Sequence, residues 1–143
     1  MVASLLQGSE AGTLVPVEKI MPYHITLLET PPALEIQYIG RLSSTELMAS
    51  VKQAMVLAEK HQCIRILTDC SLLEGGHGVF DLFEGVMEIY DNFVGSPFRE
   101  AIVQSTDPKA AELVHFWETA CKNRGLNVQV FPTRQAALDW LHT

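Results

Sequence analysis

Long hydrophobic runs are missing from this sequence: no uninterrupted apolar stretch approaches the roughly 20 residues that cross a bilayer, so no membrane insertion is expected. Cysteine is scarce, with Cys63, Cys70 and Cys121 at wide spacings. An odd number without a CxxC pair speaks against a disulfide-framed secreted scaffold and for a reducing, cytoplasmic setting. Positive charge is also short, 10 Lys and Arg against 17 Asp and Glu, a net charge of -7. That balance repels polyanions and disfavours nucleic acid as a partner. The five histidines, at positions 24, 61, 77, 115 and 142, are scattered and include no HExxH, so no metal site is expected. The glycine-rich stretch at positions 75–78 matches neither the P-loop nor GxGxxG, and Glu74 and Asp81 flank it with charge that opposes phosphate. No cofactor is implied.

What is present suits one folded unit: 143 residues, 48% of them apolar, are enough for a single core. Positions 1–20 show no sustained period of 2 or 3.6 and are read as an N-terminal extension, with Met21 as an alternative start. The single domain is placed at 21–143. Tyr23 to Glu29 and Ala33 to Ile39 read as a β-hairpin around Thr30-Pro31-Pro32, because proline cannot donate to a ladder. In the second strand Leu34, Ile36 and Tyr38 alternate with Glu35 and Gln37, the period of a sheet with one buried face.

Ser43-Ser44-Thr45-Glu46 has capping-box form and opens a helix to about Lys60. A short strand, Cys63 to Thr68, then runs into a polar loop beginning at Asp69. Val79 to about Phe93 is helical and stops at Gly95-Ser96-Pro97. Ala101 to Gln104 is a buried strand, and Asp107-Pro108 starts a helix that Arg124-Gly125 closes. Leu126 to Phe131 is a strand, after which Thr133 caps a last short helix. The order is ββαβαβαβα: an α/β fold whose crossovers make the later strands parallel, with an antiparallel hairpin at the start.

This order, the strand ending Ile66-Leu67-Thr68-Asp69, the opening Met21-Pro22-Tyr23 and the closing Ala137-Leu138-Asp139-Trp140-Leu141 resemble the STAS fold of anti-sigma-factor antagonists, in particular its stand-alone SpoIIAA-like bacterial branch. The resemblance covers residues 21–143. It implies a βα superhelix with a mixed sheet, kinship with the CRAL-TRIO architecture, and contact with partners through the loop and helix after the third strand. Phospho-switched members carry a serine in a DSSG-like motif at the start of that helix. The matching stretch here, Glu74-Gly75-Gly76-His77-Gly78-Val79, has no hydroxyl and departs from that pattern.

The densest polar group is Asp69, Cys70, Ser71, Glu74 and His77, at the carboxyl end of a strand, where ligands sit in open α/β sheets. One reading makes Cys70 a nucleophile with His77 as base and Asp69 or Glu74 as the orienting carboxylate; the plainer one makes these residues loop-amide acceptors, packing and solvated surface. The helix that follows is more informative. Its apolar residues span about 180° of the wheel, wider than the roughly 100° one sheet requires. Phe80, Phe83, Met87 and Tyr90 lie on that excess, to be met by a neighbouring helix, a second copy, a protein partner or a small apolar, lipid-like ligand. Positions 66–98 carry six acids, Asp69, Glu74, Asp81, Glu84, Glu88 and Asp91, and no Lys or Arg. The expected function is therefore a non-enzymatic, STAS-like regulatory or interaction module, expected to be a homodimer, that docks itself or a protein partner with a basic rim through the loop and helix at positions 69–93. A carrier or sensor of a small apolar ligand and a Cys70-dependent enzyme are the alternatives.

Overall fold

The computed structural model describes residues 22–30, 32–75 and 79–143. The extension at positions 1–20, Met21 and His77 lie outside the described residues. The chain runs β1 (Tyr23–Glu29), β2 (Pro32–Gly40), α1 (Ser44–Lys60), β3 (Arg65–Leu73), α2 (Val79–Phe93), β4 (Arg99–Val103), α3 (Pro108–Lys122), β5 (Asn127–Phe131) and α4 (Arg134–Leu141). The five strands among the described residues form one sheet in sequential order, with β1 antiparallel to β2 and every later neighbour parallel.

Local chemistry fixes the helix starts. The Ser43 hydroxyl accepts from the Glu46 amide at 3.1 Å while the Glu46 carboxylate accepts from the Ser43 amide at 2.8 Å, so the capping box forms. Asp107 caps α3 by accepting from the Ala110 amide, and its carboxylate also accepts from the Gly75 amide at 2.9 Å, which ties the end of β3 to the start of α3. Thr133 caps α4 through the Ala136 amide. At the end of α3, Gly125 takes φ +81°, the left-handed turn that lets the Leu126 amide reach back to the Cys121 carbonyl.

The two faces of the sheet are covered unequally. Helices α1, α2 and α3 lie on one face, α2 in the middle packing against both neighbours. That side holds the larger core, including Leu34, Ile36, Ile66, Ile102 and Val128 from the strands and Leu47, Val51, Val86, Ile89 and Val114 from the helices. Among the described residues the opposite face is covered by α4, whose Ala137 and Leu141 pack on Leu67, Ala101 and Val103.

Four of the five described strands differ in their bounds from the sequence expectation: Pro32 is the first residue of β2, paired with Glu29 rather than part of the turn, β4 begins at Arg99 and β5 at Asn127, and the largest difference is at β3. β3 continues to Leu73 rather than ending at Thr68, because β2 keeps pairing with it to Gly40↔Leu73 across a bulge between Gln37 and Ile39. Asp69, Cys70 and Ser71 are therefore strand residues, and their side chains alternate between the two faces.

Candidate functional site

The extension of β3 separates the residues grouped on paper. Cys70 points to the helical side with Ile66, while Asp69 points to the α4 side with Leu67. Asp69 is buried and accepts from the Ser71 amide at 2.9 Å, which is local loop-type satisfaction inside a strand. Ser71 is half-buried, and Glu74 is exposed with its amide held by the Gly40 carbonyl. Cys70 and Asp69 thus face away from each other across the sheet, and burial pushes the Cys70 thiol well above its ordinary pKa, away from the thiolate a nucleophile needs.

Beneath α2 the helical face of the sheet lines a half-open cavity of about 60 Å³. Its walls are apolar, among them Ile36, Leu42, Leu47, Leu73, Leu82 and Ile102, and Tyr38 and Trp117 contribute aromatic surface. Three polar side chains also line it: Thr68 and Cys70 from β3 and Glu100 from β4.

Glu100 is the residue that reading the sequence missed. It is only 4% exposed. One carboxyl oxygen is joined to the Thr68 hydroxyl at 2.5 Å, and the other accepts from the Trp117 indole N–H at 2.9 Å. Burial pushes its pKa up, opposed in part by those two hydrogen bonds. Among the described residues no Lys, Arg or His forms an ion pair with it. The signal was present: in Glu100-Ala101-Ile102 the period of 2 puts the glutamate in phase with a core isoleucine. Gly85 of α2 allows the wall to close, because a Cβ there would stand 2.8 Å from the Trp117 ring. Tyr38 donates to or accepts from Ser50 at 2.7 Å, so its ring is held against the cavity by a satisfied hydroxyl.

The outer side of α2 is a second feature. Leu82, Val86, Ile89 and Phe93 are buried, whereas Phe83 is 38% and Val94 55% exposed, with Met87 and Tyr90 half-buried between them. Positions 83, 87, 90 and 94 form one stripe at helical spacing, and Glu84, Glu88 and Asp91 form the stripe beside it. Arg124 lies over the Phe83 ring at 4.7 Å and its Nε–H points at the Met87 sulfur at 3.3 Å, while Lys52 of α1 reaches Glu88 at 3.5 Å. The Phe80 side chain lies outside what the structure describes. Most of the wide apolar arc is thus covered by α1 and α3 of the same chain, and the remainder is this narrow stripe.

Set beside solved structures, the chain is similar to an uncharacterised DUF3478-family protein with a SpoIIAA-like fold from Shewanella loihica PV-4, at TM-score 0.54 and 19% identity, over 89% of this chain and 99% of that one. The fold is SpoIIAA-like. No protein-family model matches the sequence, and no curated protein matches it either. The resemblance read from Met21-Pro22-Tyr23, the Ile66-Leu67-Thr68-Asp69 stretch of β3 and the final helix therefore holds at the level of fold, with the mixed sheet and the order ββαβαβαβα. No helix among the described residues is long and apolar enough to cross a membrane.

Proposed function

We propose that this SpoIIAA-like chain is a non-enzymatic regulatory module, one domain over 21–143, that docks a protein partner through the outer stripe of α2. The observation that carries this reading is Phe83, a large apolar ring left exposed in line with Met87, Tyr90 and Val94 beside an acidic stripe. A partner offering an apolar centre with a basic rim complements both stripes at once. A second copy of the chain is the competing occupant, and its net charge of -7 weighs against self-association. Three free, buried cysteines suit a reducing cytoplasm. The Cys70 enzyme reading finds no support in the separation of Cys70 from Asp69 and in the raised thiol pKa.

The test is a photo-crosslinking phenylalanine analogue at position 83, expressed in the native host, with the same analogue at exposed position 135 as control. The reading expects one dominant heteroadduct from position 83 that fades as salt rises. Adducts equal to those of the control, or a self-adduct alone, overturn it. A second reading, a carrier or sensor of a small apolar ligand, is supported by the cavity beneath α2. Its size narrows the ligand: about 60 Å³ is less than half of the roughly 150 Å³ cavity that holds benzene. A lipid chain does not fit without displacement of the walls.

A further inference from the structure

A carboxyl group deep in an apolar wall needs a partner of opposite charge or a proton. Glu100 is set up for the former. The indole N–H of Trp117 is a donor only, so the oxygen it meets is held as an acceptor. Thr68 can donate to the other oxygen. Two donors arrange the carboxylate form, each oxygen keeps acceptor capacity, and the group lines a cavity rather than being sealed in packed side chains. The groups that face it from the elements around it are Tyr38 of β2, Cys70 of β3 and Cys121 of α3, with Leu82 of α2 across the cavity. Burial raises the pKa of all three titratable groups, so each stays neutral through the physiological range and none supplies a positive charge. The faces of Tyr38 and Trp117 add surface that attracts a cation.

From this arrangement we infer that the cavity is a binding site for a small ammonium-bearing molecule, a short primary aliphatic amine whose charged end pairs with Glu100 and whose alkyl part lies among Leu42, Leu47 and Leu82. The inference rests on the ligand reading given above and adds the chemistry of the ligand to it. The bulk of about two waters fits the smallest alkylammonium ions, and longer chains require the leucines to turn. Burial raises the pKa of the empty site's carboxyl, so in the pH range between the ordinary carboxyl value and that raised pKa the empty site carries a proton, whereas the complex holds carboxylate against ammonium. Binding of an amine already protonated in solution therefore releases one proton, and apparent affinity rises with pH, up to tenfold per unit, until the empty-site carboxyl itself ionises.

The experiment titrates the full chain with methylammonium through n-butylammonium chloride and with the matching alcohols, followed by protein-observed NMR at pH 5, 6 and 7. Expected are amine affinities at least tenfold above the matching alcohols at pH 7, rising with pH, with shifts centred on residues lining the cavity. Alcohol affinities should not change with pH. In Glu100→Gln, checked for folding by circular dichroism, amine affinity should fall at least tenfold while alcohol affinity is kept. Should that variant not fold, the pH dependence in the unaltered protein decides. Alcohols binding as well as amines, or amine binding flat in pH, overturns the ammonium assignment and leaves the ligand reading standing. Absence of binding by both series overturns the two together.

Discussion

At the scale of single residues, Glu100 concentrates the energetic tension of the molecule. Its folded pKa is raised above the ordinary carboxyl value of 4.5. Between that value and the folded pKa, the native state holds a proton that the unfolded chain has lost, so the unfolded state binds fewer protons. The contribution of Glu100 to stability is therefore fully present below about pH 4.5 and falls as pH rises toward the folded pKa, by at most about 1.4 kcal/mol per unit. Glu100→Gln removes the titration, while its amide still accepts from Trp117 and donates to Thr68. The expected outcome is a flatter pH dependence from pH 5 to 8 than in the unaltered protein, measured by urea unfolding. Equal slopes in the two proteins would mean that Glu100 has the same protonation in the folded and unfolded states over this range, so that its pKa is not raised. Phe83 is the contrasting case: 38% exposed and under Arg124, it contributes a contact worth about 0.5–1 kcal/mol at an exposed site. Phe83→Asp should lower stability by no more than about 1 kcal/mol and leave the circular dichroism spectrum unchanged, because the new carboxylate faces the same guanidinium. Global unfolding would show that the ring is part of the core.

At the scale of elements, the contact between α2 and α3 depends on Gly85. Alanine there gains about 1 kcal/mol of helix propensity, but its Cβ would sit 2.8 Å from the Trp117 ring. The ring cannot easily swing away, since its N–H is bound to Glu100 and it is buried between helix and sheet. Overpacking of this kind costs about 1–3 kcal/mol, so the clash should outweigh the propensity gain and Gly85→Ala should be destabilising in urea melts. Trp117→Phe in the same chain should recover part of the loss, and a neutral or stabilising Gly85→Ala would show that the helices separate freely. How much of this was legible in the sequence varied by element for physical reasons. Capping residues Ser43, Asp107 and Thr133 act locally, through amides three residues on, and so marked the starts of α1, α3 and α4 correctly. The end of β3 is decided by tertiary pairing with β2 as far as Gly40, which polar residues at positions 69 and 71 conceal. The width of the α2 arc was visible, but not that two helices flank it. Of the proposed site, Phe83, Met87 and Tyr90 fall on one stripe as their spacing implied, whereas Glu100 is brought to Thr68 and Trp117 only by folding.

At the scale of the whole molecule, three helices and the sheet make a thick layer, whereas among the described residues α4 is the one helix on the opposite face. Eight residues are too few for a helix to persist in isolation, since nucleation makes helices below about 12–15 residues marginal in water. Docking must supply the stability of α4, and two sources are apparent. Ala137 and Leu141 are completely buried on Leu67, Ala101 and Val103. At the far end, where a helix leaves its last carbonyls without partners, Arg65 of β3 donates to the Leu141 carbonyl at 2.7 Å and Arg99 of β4 donates to the Trp140 carbonyl at 2.8 Å. Arg99 also lies over the Trp140 ring at 5.1 Å. Replacing both arginines, Arg65→Gln with Arg99→Gln, should therefore loosen α4 before it affects the rest. Hydrogen exchange should lose protection over positions 136–143, while β3 and the amides of α1 retain theirs. Leu141→Ala acts on the other source and should cost about 2–5 kcal/mol globally, because it leaves a cavity where a completely buried side chain packs on Leu67, Ala101 and Val103. If the arginine pair lowered protection uniformly across the sheet instead, α4 would be an inseparable part of one cooperative unit rather than a docked layer.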